Sequence, residues 1–167
     1  MTPCRVVALC GLPGSGKSTL AGFLCERFKL AGINRDRLRA ELFPHCRFTD
    51  VEKRAANQAV LQHLTRHCAA GESALVDGMT LARASEREAL KRIALGHGFR
   101  FVLLWLDCPV ETAVVRVEHQ AHLAQDRDAA RVREVAARFE APADAVRIDA
   151  ALAPKTIPQL SAQALAS

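Results

Sequence analysis

Short apolar runs alternate along the chain with longer segments whose apolar positions recur every three or four residues, the spacing of strands and helices in turn. Val6-Val7-Ala8-Leu9-Cys10 predicts a buried strand, and residues 17–30 follow with helical spacing. A short strand around Ile33 leads into a helix over 35–43, which Pro44 closes because proline disfavours the helical conformation in the residue before it. Thr49-Asp50-Val51-Glu52 has the form of a capping box, and Val51, Ala55, Val60, Leu61, Leu64 and Cys68 supply the apolar stripe of a long helix ending before Gly71. Residues 74–76 read as a short buried strand closed by Asp77 and Gly78. Ser85-Glu86-Arg87-Glu88 reads as a second capping box, for a helix that stops at Gly96. The apolar run 101–106 predicts a strand covered on both faces, and Asp107-Cys108-Pro109 opens a helix to about Gln120. Residues 121–130 lose the apolar period and read as a mobile flap. A helix over 132–139, an edge strand over 145–148 and a closing helix over 157–166 complete the pattern.

Strand and helix in alternation imply an α/β three-layer sandwich: a parallel sheet with helices on both faces and ligands at the carboxyl ends of the strands. The loops after Cys10, Ile33, Val76 and Leu106 then converge on one place. At 167 residues the expectation is one domain, 1–167. The longest apolar stretch is six residues, far short of the roughly 20 that span a bilayer. With only Arg5 basic before the first strand and six cysteines in neither CxxC pairs nor histidine-spaced clusters, the expected setting is cytoplasmic, with reduced thiols and no zinc site. The net charge of +5 favours an anionic ligand, which ATP, an anionic metabolite and a nucleic acid would each satisfy. Arg83, Arg87 and Lys91 fall on one helical face, either as a solvated surface or as a track for a phosphate backbone.

The turn after the first strand is Gly11-Leu12-Pro13-Gly14-Ser15-Gly16-Lys17-Ser18, a full match to the phosphate-binding loop. A strand that stops at such a turn and restarts as a helix aims several backbone N–H groups, and the positive end of the helix dipole, at one spot. Gly11, Pro13, Gly14, Ser15, Gly16 and Thr19 would wrap a triphosphate. Lys17 would reach its β- and γ-phosphates, and the Ser18 hydroxyl would ligate Mg²⁺. Asp77, ending an apolar strand, is placed to steady Mg²⁺ or its waters, or else only to form a turn. Asp36 and Arg39, three apart, share a helical face. Asp36 would accept the proton of an acceptor hydroxyl while Arg39 holds an anionic part of the same molecule; the alternative is a helix-start Asp beside a surface arginine.

The segments 11–19, 34–39, 76–78, 106–113 and 138–142 together resemble the small P-loop kinases related to the 5′-kinase domain of polynucleotide kinase. Zeta toxins, gluconate kinase and adenylylsulfate kinase are more distant relatives of that kind. The resemblance implies five parallel strands, ATP as donor and Mg²⁺ as cofactor. It makes Asp36 the base toward a polynucleotide 5′-hydroxyl, with DNA or RNA 5′ ends as partners, and Arg39 a phosphate contact. It also implies an arginine-bearing helical lid at about 116–131, with Arg116 near the nucleotide. Two features depart from that pattern. Asp77-Gly78-Met79-Thr80 replaces Asp-x-Thr-Asn, which leaves Thr80 to contact substrate, and Arg116 has no close arginine after it, which leaves Arg127 or Arg131 to supply transition-state charge. His119 and His122 read as exposed helix histidines.

Three functions fit this reading. The first is a kinase acting on a polynucleotide 5′-hydroxyl or on a small sugar, nucleotide or other metabolite. A hydrolysing switch lacks a glutamate after Asp77 and a guanine-reading Asn-Lys-x-Asp segment, and a nucleotide-binding module without catalysis is the third. The oligomeric state stays open.

Overall fold

All six residues of β1 (Arg5–Cys10) are apolar except the first, and Val6 to Cys10 have no solvent exposure. The reason is position: β1 is the middle strand of a five-stranded sheet, covered on both faces. The computed structural model describes residues 4–120, 127–152 and 155–166. Chain order runs β1, α1 (Lys17–Phe28), β2 (Ala31–Asn34), α2 (Arg35–Leu42), α3 (Asp50–Ala69), β3 (Ala74–Asp77) and α4 (Ala84–Gly96). It continues through β4 (Arg100–Asp107), α5 (Val110–His119), α6 (Ala129–Ala137), β5 (Val146–Asp149) and α7 (Thr156–Ala166). The strands lie in the order β2-β3-β1-β4-β5, every pair parallel.

Alternation along β1 divides the core. Val7 and Leu9 face a cluster with Leu24 of α1, Val114 of α5, Val132 of α6 and Leu165 of α7. Val6, Ala8 and Cys10 face Leu38 of α2, Val60 and Leu64 of α3 and Leu90 of α4. Helices therefore cover both sides, and the ends of β1, β2, β3 and β4 open toward one edge. Among the described residues no helix is long and apolar enough to cross a membrane.

Several boundaries differ from expectation for local reasons. α1 stops at Phe28, because Lys29 turns left-handed (φ 54°) and its N–H donates to the Cys25 carbonyl. In α3 the predicted box forms, Thr49 and Glu52 each accepting from the other's backbone N–H. Its buried stripe is Ala56, Val60, Leu64 and Cys68, while Val51 is 65% exposed. At about 100° per residue Val51 lies half a revolution from Val60, on the opposite face. The N-cap of α4 is Arg83, two residues before the Ser85 expected to open the capping box. Glu86 accepts from the Arg83 N–H at 3.0 Å, and Glu140, 56 residues away, takes the Ala84 N–H at 2.8 Å. α6 already begins at Ala129, capped by the Asp128 carboxylate on the Arg131 N–H at 2.8 Å, so 129–130 belong to a helix. Of the flap expected at 121–130 and the lid expected at about 116–131, residues 121–126, His122 among them, lie outside the described residues.

Candidate active site

The loop joining β1 to α1 is shaped by its neighbours as much as by its glycines. Gly14 has φ +81°, and a Cβ there would lie 2.5 Å from the Ala113 carbonyl oxygen and 2.8 Å from Val117, so the bare backbone packs directly on α5. The Gly11 N–H donates to the Thr80 carbonyl at 3.1 Å, tying the loop to the β3–α4 connection. Gly16 caps α1 without a side-chain hydrogen bond, and Ser18 and Thr19 are exposed at the helix start. Lys17 is 8% exposed, and its Nζ donates to the carbonyls of Gly11 and Leu12, each at 2.8 Å. Burial lowers its pKa from 10.5 to about 8, against an opposing pull from the Asp77 carboxylate.

Asp77 ends β3 in register with Asn34 at the end of β2. Asn34 Nδ2 donates to Asp77 Oδ2 at 3.1 Å, and Asn34 Oδ1 accepts from the Arg37 N–H at 2.9 Å, capping α2. Asp77 Oδ1 is buried with no hydrogen-bond partner among the described residues. An orphaned buried carboxylate oxygen is costly unless a cation or its water supplies the missing contact. Asp77 and Ser18 line one cavity of about 90 Å³ with Lys17 and Arg127. A carboxylate and a hydroxyl are hard oxygen donors, the type Mg²⁺ takes, so these residues fit that ion.

Gly78, at φ +78°, brings β3 against the start of α2: a Cβ there would stand 2.8 Å from the Arg35 nitrogen and 3.0 Å from that of Asp36. Asp36 is thereby held at the strand ends. Its Oδ1 pairs with Arg39 Nη2 at 3.1 Å, and its Oδ2 accepts a hydrogen bond from Arg127, 91 residues away. Arg39 is 4% exposed, with its guanidinium 4.6 Å from the centre of the Phe48 ring. The face shared by Asp36 and Arg39 is as the spacing predicts, but Arg39 is spent on Asp36 and Phe48.

Lys17, Asp36, Arg39, Thr80 and Arg127 line a cleft of about 410 Å³ between α2–α3, the β3–α4 connection and α6. Arg131 lines it as well but pairs with Glu134 at 2.7 Å. Arg116 lies elsewhere, beside Gly14, Gly16, Thr19, Ile157 and Pro158 around a cavity of about 170 Å³ on the far side of the loop. His119 is exposed on α5, its Nδ1 2.7 Å from the Val115 carbonyl. The shared face expected of Arg83, Arg87 and Lys91 does not form a track. Arg87 is 6% exposed and donates to the carbonyls of Leu81 (2.8 Å) and Ala82 (3.3 Å), while Lys91 pairs with Asp144 at 2.9 Å. The sequence reading missed the tie from Asn34 to Asp77, although an asparagine just before a helix was a capping signal in plain sight.

Residues 6–142 match the model of a family described as an AAA domain. No curated protein matches the chain by sequence. Among solved structures, a gluconokinase from Sinorhizobium meliloti 1021 is 20% identical with a TM-score of 0.74, covering 98% of this chain and 92% of its own. A sugar kinase from Janibacter sp. HTCC2649 is 19% identical with a TM-score of 0.72, covering 96% and 94%. The Mycobacterium tuberculosis APS kinase CysC, in complex with AMPPNP and APS, is 16% identical with a TM-score of 0.72, covering 99% of each chain. At these identities the likeness establishes the fold.

Proposed function

The chain belongs to the AAA domain family that it matches over residues 6–142, and on that premise we propose that it is a kinase moving the γ-phosphate of ATP to the hydroxyl of a small acceptor. One observation carries the reading: the phosphate-loop Lys17 and the carboxylate of Asp36 line the same cleft. Donor and acceptor can meet there.

In this reading the backbone N–H groups of residues 11–19 wrap the triphosphate, and Arg116 borders the nucleoside side of the loop. Ser18 and Asp77 hold Mg²⁺, which when bound neutralises and orients the phosphate oxygens. Lys17 exchanges the Gly11 and Leu12 carbonyls for phosphate oxygens, a stronger, charge-assisted contact. Asp36 receives the proton of the acceptor hydroxyl as the new O–P bond forms and the bond to the ADP oxygen breaks. Arg39 fixes the carboxylate's orientation. Arg127, which pairs with Asp36 when no other anion is near, turns to the charge on the transferring group and so releases the base. Thr80 borders the acceptor.

Two features move the acceptor from the expected polynucleotide 5′ end to a small molecule. The cleft volume lies in the range of small-ligand sites, about 300–1,000 Å³. Arg83, Arg87 and Lys91, which the sequence leaves open as a solvated face or a track for a nucleic-acid backbone, do not form the track, since Arg87 is buried and Lys91 ion-paired.

The test is transfer from γ-labelled ATP, with Mg²⁺, to a panel of sugars, sugar acids, nucleosides and 5′-hydroxyl oligonucleotides. Label on a small acceptor, lost in Asp36→Asn, is the expected result. Label on oligonucleotides alone restores the polynucleotide reading, rapid ATP consumption without acceptor marks a switch, and ATP binding with no turnover marks a non-catalytic module.

A further inference from the structure

The acceptor cleft carries more positive charge than its own carboxylates neutralise. Eight cationic side chains line it against four carboxylates, an excess of four. Three of those carboxylates are committed: Asp36 to Arg39 and Arg127, Glu134 to Arg131 and Arg138, and Glu86 to the Arg83 backbone N–H; the fourth, Asp50, is exposed at the start of α3. Two cations on neighbouring elements, Lys53 of α3 and Arg83 just before α4, have side chains with no hydrogen bond or ion pair among the described residues, although Lys53 acts on Glu134 through space. Like charges gathered in a concave, low-dielectric site repel one another and draw in an anion.

The other cations are accounted for: Arg131 and Arg138 pair with Glu134, and Arg35 Nε donates to Asn57 Oδ1 at 2.7 Å. Lys17 belongs to the donor phosphates in the reading above. Arg39, which the sequence marks as the natural contact for an anionic acceptor, is buried on Asp36 and Phe48. Arg127 also closes on Asp36.

Resting on the kinase reading, we propose that Lys53 and Arg83 form an acceptor-anion subsite, so that the substrate is a small hydroxyl compound bearing a phosphate or carboxylate remote from the hydroxyl that reacts. The hydroxyl lies at Asp36, the anion bridges α3 and the β3–α4 connection, and a neutral sugar leaves both cations without their counter-charge. Arg83 supplies a planar fork suited to two oxygens, and Lys53 supplies a point charge from α3.

The subsite can be read without turnover. The protein is first saturated with Mg²⁺ and AMPPNP, so that the phosphate loop is filled, and is then titrated calorimetrically with matched pairs: glycerol and glycerol 3-phosphate, ribose and ribose 5-phosphate, glucose and gluconate. The anionic member of at least one pair is expected to bind about 10- to 100-fold more tightly, the size of one or two charge-assisted contacts. In Lys53→Gln/Arg83→Gln that preference falls to within about threefold, with AMPPNP affinity and melting temperature retained. A control with the same loss of charge outside the cleft, Arg92→Gln/Arg100→Gln, keeps the preference. Whether phosphate or carboxylate is the partner is read from which pair discriminates. Equal binding of both members in every pair, or a preference that survives in the double variant, or one lost equally in the control, overturns the subsite. Failure of AMPPNP to bind at all would instead overturn the kinase reading.

Discussion

Asn34 Nδ2 donates to Asp77 Oδ2 at 3.1 Å, joining the ends of β2 and β3 with the same side chain that caps α2. One amide thus sets both the carboxylate proposed for Mg²⁺ and the helix that carries Asp36.

Asn34→Ala removes both contacts. Loss of the cap costs about 1 kcal/mol of stability. It also leaves Asp77 with neither oxygen held by Asn34, so Mg²⁺-dependent ATP affinity is expected to weaken more than affinity for ATP with the metal chelated. Paired calorimetric titrations with Mg²⁺ and with EDTA measure the difference.

Asp36→Asn keeps the shape of the side chain and loses the base. Acceptor-dependent ADP release is expected to fall by about 10²- to 10⁴-fold, with ATP affinity within about threefold of the parent. An unchanged rate would leave Asp36 as only an anchor for Arg39 and Arg127.

Lys17 gives a pH signature. Its pKa is lowered by burial from 10.5 to about 8, so above pH 8 the folded protein carries it neutral while the unfolded chain still binds the proton. Stability therefore gains as pH rises from about 8 to about 10.5, by up to about 3 kcal/mol from this group. A triphosphate favours the charged form, so ATP binding is expected to take up close to one proton at pH 9 and to weaken as pH rises further. Titrations in buffers of different ionisation enthalpy read the uptake, and Lys17→Met abolishes it.

Gly78→Ala is the sharpest backbone test. The added Cβ would meet the Arg35 nitrogen at 2.8 Å at a φ of +78°. The expected cost of about 1–3 kcal/mol corresponds to a melting temperature lower by about 3–10 °C. Because the displaced segment carries Asp36, turnover should fall more than ATP affinity does.

The sheet was legible because its signals are local. Val6–Cys10 and the 101–106 run are apolar at every position, as strands covered on both faces must be, and the loop between β1 and α1 announces itself by residue type and spacing. The Thr49–Glu52 box also closes within four residues. What escaped depends on groups far apart in the chain. Glu140 fixes the start of α4 from 56 residues away, and Arg127 reaches Asp36 across 91. Arg87 shows a different limit: its helical position alone predicts a solvated face, and only the path of the turn just before the helix, which brings the Leu81 and Ala82 carbonyls to its guanidinium, explains the burial. In the site, the face shared by Asp36 and Arg39 was readable from the i,i+3 spacing, whereas the pairing of Arg39 with Asp36 itself was not, and its burial under Phe48 required the loop after α2.

The grip of Glu140 has a mechanical outcome. Its N–H donates to the Ala82 carbonyl at 2.8 Å while its carboxylate takes the Ala84 N–H, so the stretch after α6 is stapled to the lip before α4. Those two segments are thus held together as one side of the cleft, whose remaining lining comes from α2 and α3. A short chemical tether engineered between positions 84 and 140 should leave passage free, whereas one between α3 and α6 should lock the mouth.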